Sequence, residues 1–204
     1  MYHKTRQKSR KKLQLKDNAC KGIINPRGVI MKKILIVVDI QNDFVDGSLG
    51  SAEALAIVDN AANKIKNFDG DIFVTYDTHY DNYMDTLEGK KLPVPHCIKG
   101  TVGWELSPKI ADALSEKEYT TVEKLTFGST ALPELVKERI GNEKAEITLI
   151  GLCTDICVVS NALLLKANLL DAEIFVDSSC CAGVSIQTHN AALDTMRCCQ
   201  INVI

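Results

Sequence analysis

Short, nearly unbroken apolar runs recur along this chain, and helix-length amphipathic stretches separate them. The runs Ile34–Val38, Ile72–Tyr76, Tyr119–Glu123, Ile147–Ile150, Ile174–Val176 and Asn202–Ile204 read as strands. The stretches at about Ala52–Asn67, Thr130–Ile140, Asp155–Asn168 and Ile186–Met196 read as helices. A strand that is apolar on both sides must be covered on both sides, and strand–helix alternation supplies the covers. The pattern predicts an α/β chain with a parallel, Rossmann-like sheet between helical layers. With 46% hydrophobic residues in 204, the chain has material for one substantial core and one domain.

Charge separates a head from this body. Residues 1–30 carry nine Lys or Arg against the single acid Asp17, a net +8, while the whole chain is at −2. The head has almost no apolar periodicity and is expected to be disordered. It reads as an extension ahead of Met31, with residues 31–204 forming the domain. A nucleic-acid-binding tail is the other reading, and His3 belongs to this segment. No apolar stretch approaches a bilayer span, and no secretory signal is visible. Nothing among the eight cysteines has the spacing of a structural zinc site. They are expected to be reduced thiols in a cytoplasmic protein, most of them small buried hydrophobes.

In parallel α/β sheets, sites form at the carboxyl ends of strands. Asp39 follows the first strand, Asp77 and His79 the second, Lys124 the third and the Gly151–Cys157 turn the fourth. Titratable or reactive groups at four consecutive strand ends form a constellation. The region from Tyr80 to Glu118 is the one long irregular stretch, with a short helix expected near Pro108–Leu114. Loops of that length in a compact domain are usually functional.

Cys157 lies one turn into a helix, with Thr154 as expected cap and Asp155 in the first turn. A lone cysteine at a helix start is usually an inert packing residue. Here the helix dipole and free N–H groups favour a thiolate, and those N–H groups can bind an oxyanion. Asp39 and Lys124 stand on nearby strand ends as base and charge partner. Asp77 and His79, two apart on a strand end, can face the same way, and His96 from the loop can complete a set. One carboxylate and two imidazoles suit zinc first, with iron or manganese as alternatives. His189 reads as a packing or hydrogen-bonding residue.

The stretches ILIVVDIQNDFVDGSL, VTYDTHY, PHCIKGTVGWEL, VEKLTFGS and GLCTDICV occur in order. In order and spacing they resemble the nicotinamidase/isochorismatase-like cysteine hydrolases over roughly residues 33–204. That resemblance implies a three-layer α/β/α sandwich around a six-stranded parallel sheet. It implies an Asp39–Lys124–Cys157 triad and a cis peptide before Cys153, whose N–H with that of Cys157 forms an oxyanion hole. It implies a divalent metal on Asp77, His79 and His96 and homo-oligomers. The activity implied is hydrolysis of a small amide through a thioester, best fitted by nicotinamide. The alternatives are another small amide, an N-carbamoyl or ureido compound, then isochorismate, then a non-catalytic nucleic-acid-binding module. Membrane association is not expected. The chain departs from nicotinamidases at Pro93, where those proteins usually carry Trp. A flat amide wants aromatic walls. Phe44, Tyr83 (or Tyr80) and Phe127 are the candidates to line the substrate pocket.

Overall fold

The structure, a computed structural model, describes residues 30–204 and the short strand Ile23–Ile24. The strands are β1 (Ile23–Ile24), β2 (Ile30–Val38), β3 (Asp71–Asp77), β4 (Tyr119–Lys124), β5 (Lys144–Leu152), β6 (Glu173–Ala182) and β7 (Asn202–Val203). The helices are α1 (Asn42–Val45), α2 (Ala52–Asn67), α3 (Leu87–Lys91), α4 (Pro108–Leu114), α5 (Ala131–Ile140), α6 (Val159–Asn168) and α7 (Ile186–Cys198). Strands β2 to β7 form a six-stranded parallel sheet in the order β4-β3-β2-β5-β6-β7. The expected α/β/α sandwich is thus present.

One strand was not anticipated. β1 pairs antiparallel with β2 at Ile30 and Met31, before the β3 register begins at Ile34. The disorder expected for residues 1–30 therefore does not extend to Ile23–Ile24. The rest of that expectation lies outside the described residues.

β2 shows how the sheet holds two cores apart. Leu35 and Val37 face one layer, packed with Ile57, Ala61 and Ile65 of α2. Ile34, Ile36 and Val38 face the other, packed with Val136 of α5, Leu165 of α6 and Met196 of α7. Period-two alternation along a strand buried on both sides makes this division. α2 presents Ala54, Ile57, Val58, Ala61 and Ile65 inward at helical spacing. It starts where Ser51 accepts a hydrogen bond from the Ala54 N–H at 3.0 Å. Ser185 and Thr188 form a reciprocal cap at the start of α7. No helix among the described residues is long and apolar enough to cross a membrane.

The chain order reverses between β2 and β5: β3 and β4 are laid down to one side, β6 and β7 to the other. A crevice opens at the carboxyl ends at such a switch point. Gly151 brings β5 against β2 there. Its φ is +127°, and a Cβ would fall 2.0 Å from the Val38 carbonyl oxygen. Only glycine fits this approach.

Candidate active site

Asp39 immediately follows β2, at φ +48°, and is fully buried. Its Oδ1 accepts a hydrogen bond from Thr75 Oγ1 at 2.6 Å, and its Oδ2 lies 2.7 Å from Lys124 Nζ. Lys124 closes β4 and donates to Asp77 Oδ1 at 3.1 Å and to Cys157 Sγ at 3.5 Å. The structure thus brings Asp39, Lys124 and Cys157 together across three strand ends. Burial would push the ammonium down, but Asp39, Cys157 and Asp77 outweigh it and hold Lys124 firmly cationic. Burial raises Asp39 above the ordinary carboxylate value of 3.8, against the lowering pull of Lys124.

Cys157 differs from expectation in its surroundings. Thr154–Val158 forms a π-helical turn ahead of α6, with the Val158 N–H donating to the Cys153 carbonyl at 3.0 Å. Burial and the Asp39 carboxylate, opposed by Lys124, push the thiol well above its ordinary value. The direction is opposite to the one a helix start alone would give. Desolvation outweighs the helix terminus. Thr154 is not the cap either. Cys153 holds that position, and Thr154 Oγ1 pairs with His189 Nδ1 at 2.8 Å, the hydrogen-bonding role expected of His189. Asp155 accepts from the Val184 N–H, tying the loop after β6 to this turn. The peptide between Leu152 and Cys153 is cis, and burial pushes the Cys153 thiol up to about 12.

Asp77, His79 and His96 converge beside the triad, all three buried, with one ligand atom from each within 4.8 Å of the others. His79 Nε2 stands 3.0 Å and His96 Nε2 3.5 Å from Asp77 Oδ2. Ligands at ~2.1 Å from a tetrahedral ion lie roughly 3.4 Å apart, so the spacing suits one. The donor chemistry suits it too. His96 Nδ1 contacts the Val94 carbonyl at 2.8 Å, which leaves Nε2 to face the cluster. His79 Nε2 is buried and faces the same Asp77 oxygen. Burial opposes ionisation of Asp77, but hydrogen bonds to His79 and His96 and the charge of Lys124 hold it well below the usual carboxylate range. Asp77 is shared, with Oδ1 on the triad lysine and Oδ2 on the imidazoles.

Several participants carry no mark in the sequence. Glu88 Oε1, on α3, lies 3.7 Å from His79 Nε2 and 3.9 Å from His96 Nε2, as a fourth polar group beside the Asp77, His79 and His96 cluster. Gln41 is fully buried. It takes the Asp77 N–H on its Oε1 and donates from Nε2 to the Asp77 and Trp104 carbonyls. Asn161 donates to the Cys157 and Phe127 carbonyls and accepts from the Ser129 N–H. It links the Thr154–Val158 turn to the loop after β4.

A cavity of about 520 Å³ opens over this cluster, with Asp77, His96 and Cys157 at its surface and Phe44 and Phe127 in its walls. Tyr83 is placed differently from expectation. It does not line the cavity; its ring meets the edges of His79 and His96, with centroids at 4.7 and 5.1 Å, and its hydroxyl donates to the Leu92 carbonyl. It buttresses the imidazoles because Tyr83–Asp85 forms a 3₁₀ turn packed behind them. Tyr80 is exposed. The seven described cysteines are free, four of them buried.

A model of the isochorismatase domain matches residues 33–204. The nicotinamidase/pyrazinamidase of Mycobacterium tuberculosis is 29% identical over 189 residues, covering 84% of this chain and 98% of that protein. Among solved structures, the nicotinamidase/pyrazinamidase of Bacillus subtilis superposes with a TM-score of 0.71 at 29% identity, covering 85% of this chain and 99% of that one. The pyrazinamidase/nicotinamidase of Streptococcus mutans does so with a TM-score of 0.73 at 29% identity, covering 85% and 100%.

Proposed function

The chain belongs to the isochorismatase domain family, and from that premise we propose that it is a cysteine amidohydrolase that converts nicotinamide to nicotinate and ammonia. The observation that carries the proposal is the contact of one lysine with both Asp39 and Cys157 in a buried pocket. Asp39, its pKa raised, takes the proton from the Cys157 thiol. Lys124 holds its positive charge between carboxylate and sulfur and stabilises the thiolate as it forms. The thiolate attacks the carboxamide carbon, and the Cys153 and Cys157 N–H groups bind the oxyanion. Asp39 returns the proton to the leaving nitrogen, ammonia departs and an acyl thioester remains on Cys157. Water then hydrolyses the thioester, again with Asp39 as base.

Asp77, His79 and His96, with Glu88 beside them, would hold a divalent metal, zinc first, with iron or manganese as alternatives. Bound there, the ion supplies an electrophilic anchor for a ring nitrogen or a water. Tyr83 and Gln41 keep the ligands in place. Residues 1–30 are assigned to an extension dispensable for turnover and residues 31–204 to the hydrolase domain, functioning in the cytoplasm as a homo-oligomer.

A second reading, hydrolysis of another small amide, is favoured by Pro93 standing where an aromatic wall is usual. Ammonia release from nicotinamide by the purified, metal-loaded protein tests the first reading. Release from other carboxamides but not from nicotinamide replaces it with the second. Release from neither overturns both.

A further inference from the structure

The cavity is open on one side and largely apolar, and its ≈ 520 Å³ lies in the range of about 300–1,000 Å³ that small-molecule pockets occupy. Its polar lining is confined to the metal cluster, the turn holding Cys153 and Cys157, and Ser51. The remaining walls are apolar, among them Phe44, Leu49, Leu92, Phe127, Ile156 and Val184. Three of these walls are also open to solvent: Leu92 is 38%, Phe127 44% and Val184 62% exposed. They therefore stand at the mouth.

Leu87, Leu125 and Ile186, large and exposed, lie within two residues in sequence of the lining residues Glu88, Phe127 and Val184. Leu92, Phe127 and Val184 themselves come from three separate segments, and exposed apolar residues gathered around one opening mark a binding surface. Nothing aromatic closes it at the loop preceding His96. Pro93 does not line the cavity, and Trp104, the only tryptophan, is spent donating from Nε1 to Thr78 Oγ1 at 2.9 Å and packing on Tyr76.

We infer that the site takes aromatic carboxamides carrying a further apolar substituent, an alkyl chain or a second ring, laid along Leu92, Phe127 and Val184 at the mouth. This rests on the amidohydrolase reading above. The carboxamide lies against Cys157 and the polar side of the ring toward the metal cluster, so the apolar walls are left for the substituent. Its burial adds binding without touching the bond that breaks.

The test is ammonia release by the metal-loaded protein from nicotinamide and from 5-methyl-, 5-ethyl-, 5-propyl- and 5-butylnicotinamide. The expected result is a kcat/KM that rises by about fourfold for each buried methylene through the first members. A flat or falling series, with nicotinamide still hydrolysed, overturns the inference and leaves the amidohydrolase reading intact. No release from any member overturns that reading itself. The variants Leu92→Ser and Val184→Ser, both at partly exposed positions, should each lower the butyl-to-nicotinamide ratio of kcat/KM by about tenfold. An unchanged ratio in both would also overturn the inference, whatever the absolute rates.

Discussion

The two halves of the site are built on opposite terms. In the triad half, every charge meets an opposite one inside the protein. Lys124 answers both Asp39 and Asp77, and Thr75 holds the other oxygen of Asp39. In the metal half, one ligand atom from each of Asp77, His79 and His96 faces a common point, and both imidazoles turn toward the same carboxylate oxygen. One half is complete in the polypeptide itself; the other is shaped for a guest. Asp77 joins them, so a change at the metal side reaches the triad through a single carboxylate.

The comparison breaks most completely at the sulfur. Cys157→Ala should lower ammonia release by at least about 10⁴-fold, while metal content by elemental analysis stays at wild-type stoichiometry. Surviving turnover would show that another group is the nucleophile. Asp77→Asn strikes both halves. It should lose the metal and reduce kcat/KM by roughly 100-fold or more, a larger loss than at either imidazole. Equal losses for Asp77→Asn and His79→Ala would show that the bridge to Lys124 carries nothing.

The metal half alone is probed through stability. Zinc at about 100 times its Kd should stabilise the fold by ~2.7 kcal/mol in thermal or denaturant unfolding, and His96→Ala should remove that gain. A gain that persists in the variant would place the ion elsewhere.

The smallest effect concerns proton affinity in the triad half. Asp39 must be ionised to accept the thiol proton, and burial raises its pKa above 3.8. Activity should therefore fall as pH drops through that raised value. The Thr75 hydrogen bond favours the charged carboxylate and so lowers its pKa. Thr75→Val should move the acid limb of kcat/KM to higher pH. A shift to lower pH would mean that a different group sets the limb.

The carboxyl-edge constellation was legible because parallel strands deliver their terminal residues to one edge whatever the loops do. Asp39, Asp77, His79 and Lys124 needed only that rule. α2 and α4 occupy the expected ranges, since helical periodicity and, in α2, the Ser51 cap are local signals. Glu88, Gln41 and Asn161 were not legible. Their partners lie far away in sequence or in an irregular loop, and no periodic pattern marks them. Tyr83 was misplaced for the same reason: an aromatic in a loop suits either a wall or a buttress, and only packing against His79 and His96 chooses.

Sequence alone therefore determined the layers, the sheet and the residue types at its active edge, because periodicity and strand ends are properties of short stretches of chain. The tertiary structure decided the desolvation of Cys157, the sharing of Asp77 and the width of the pocket. Those depend on desolvation and on distances between side chains from different strands, and no local stretch of sequence contains either.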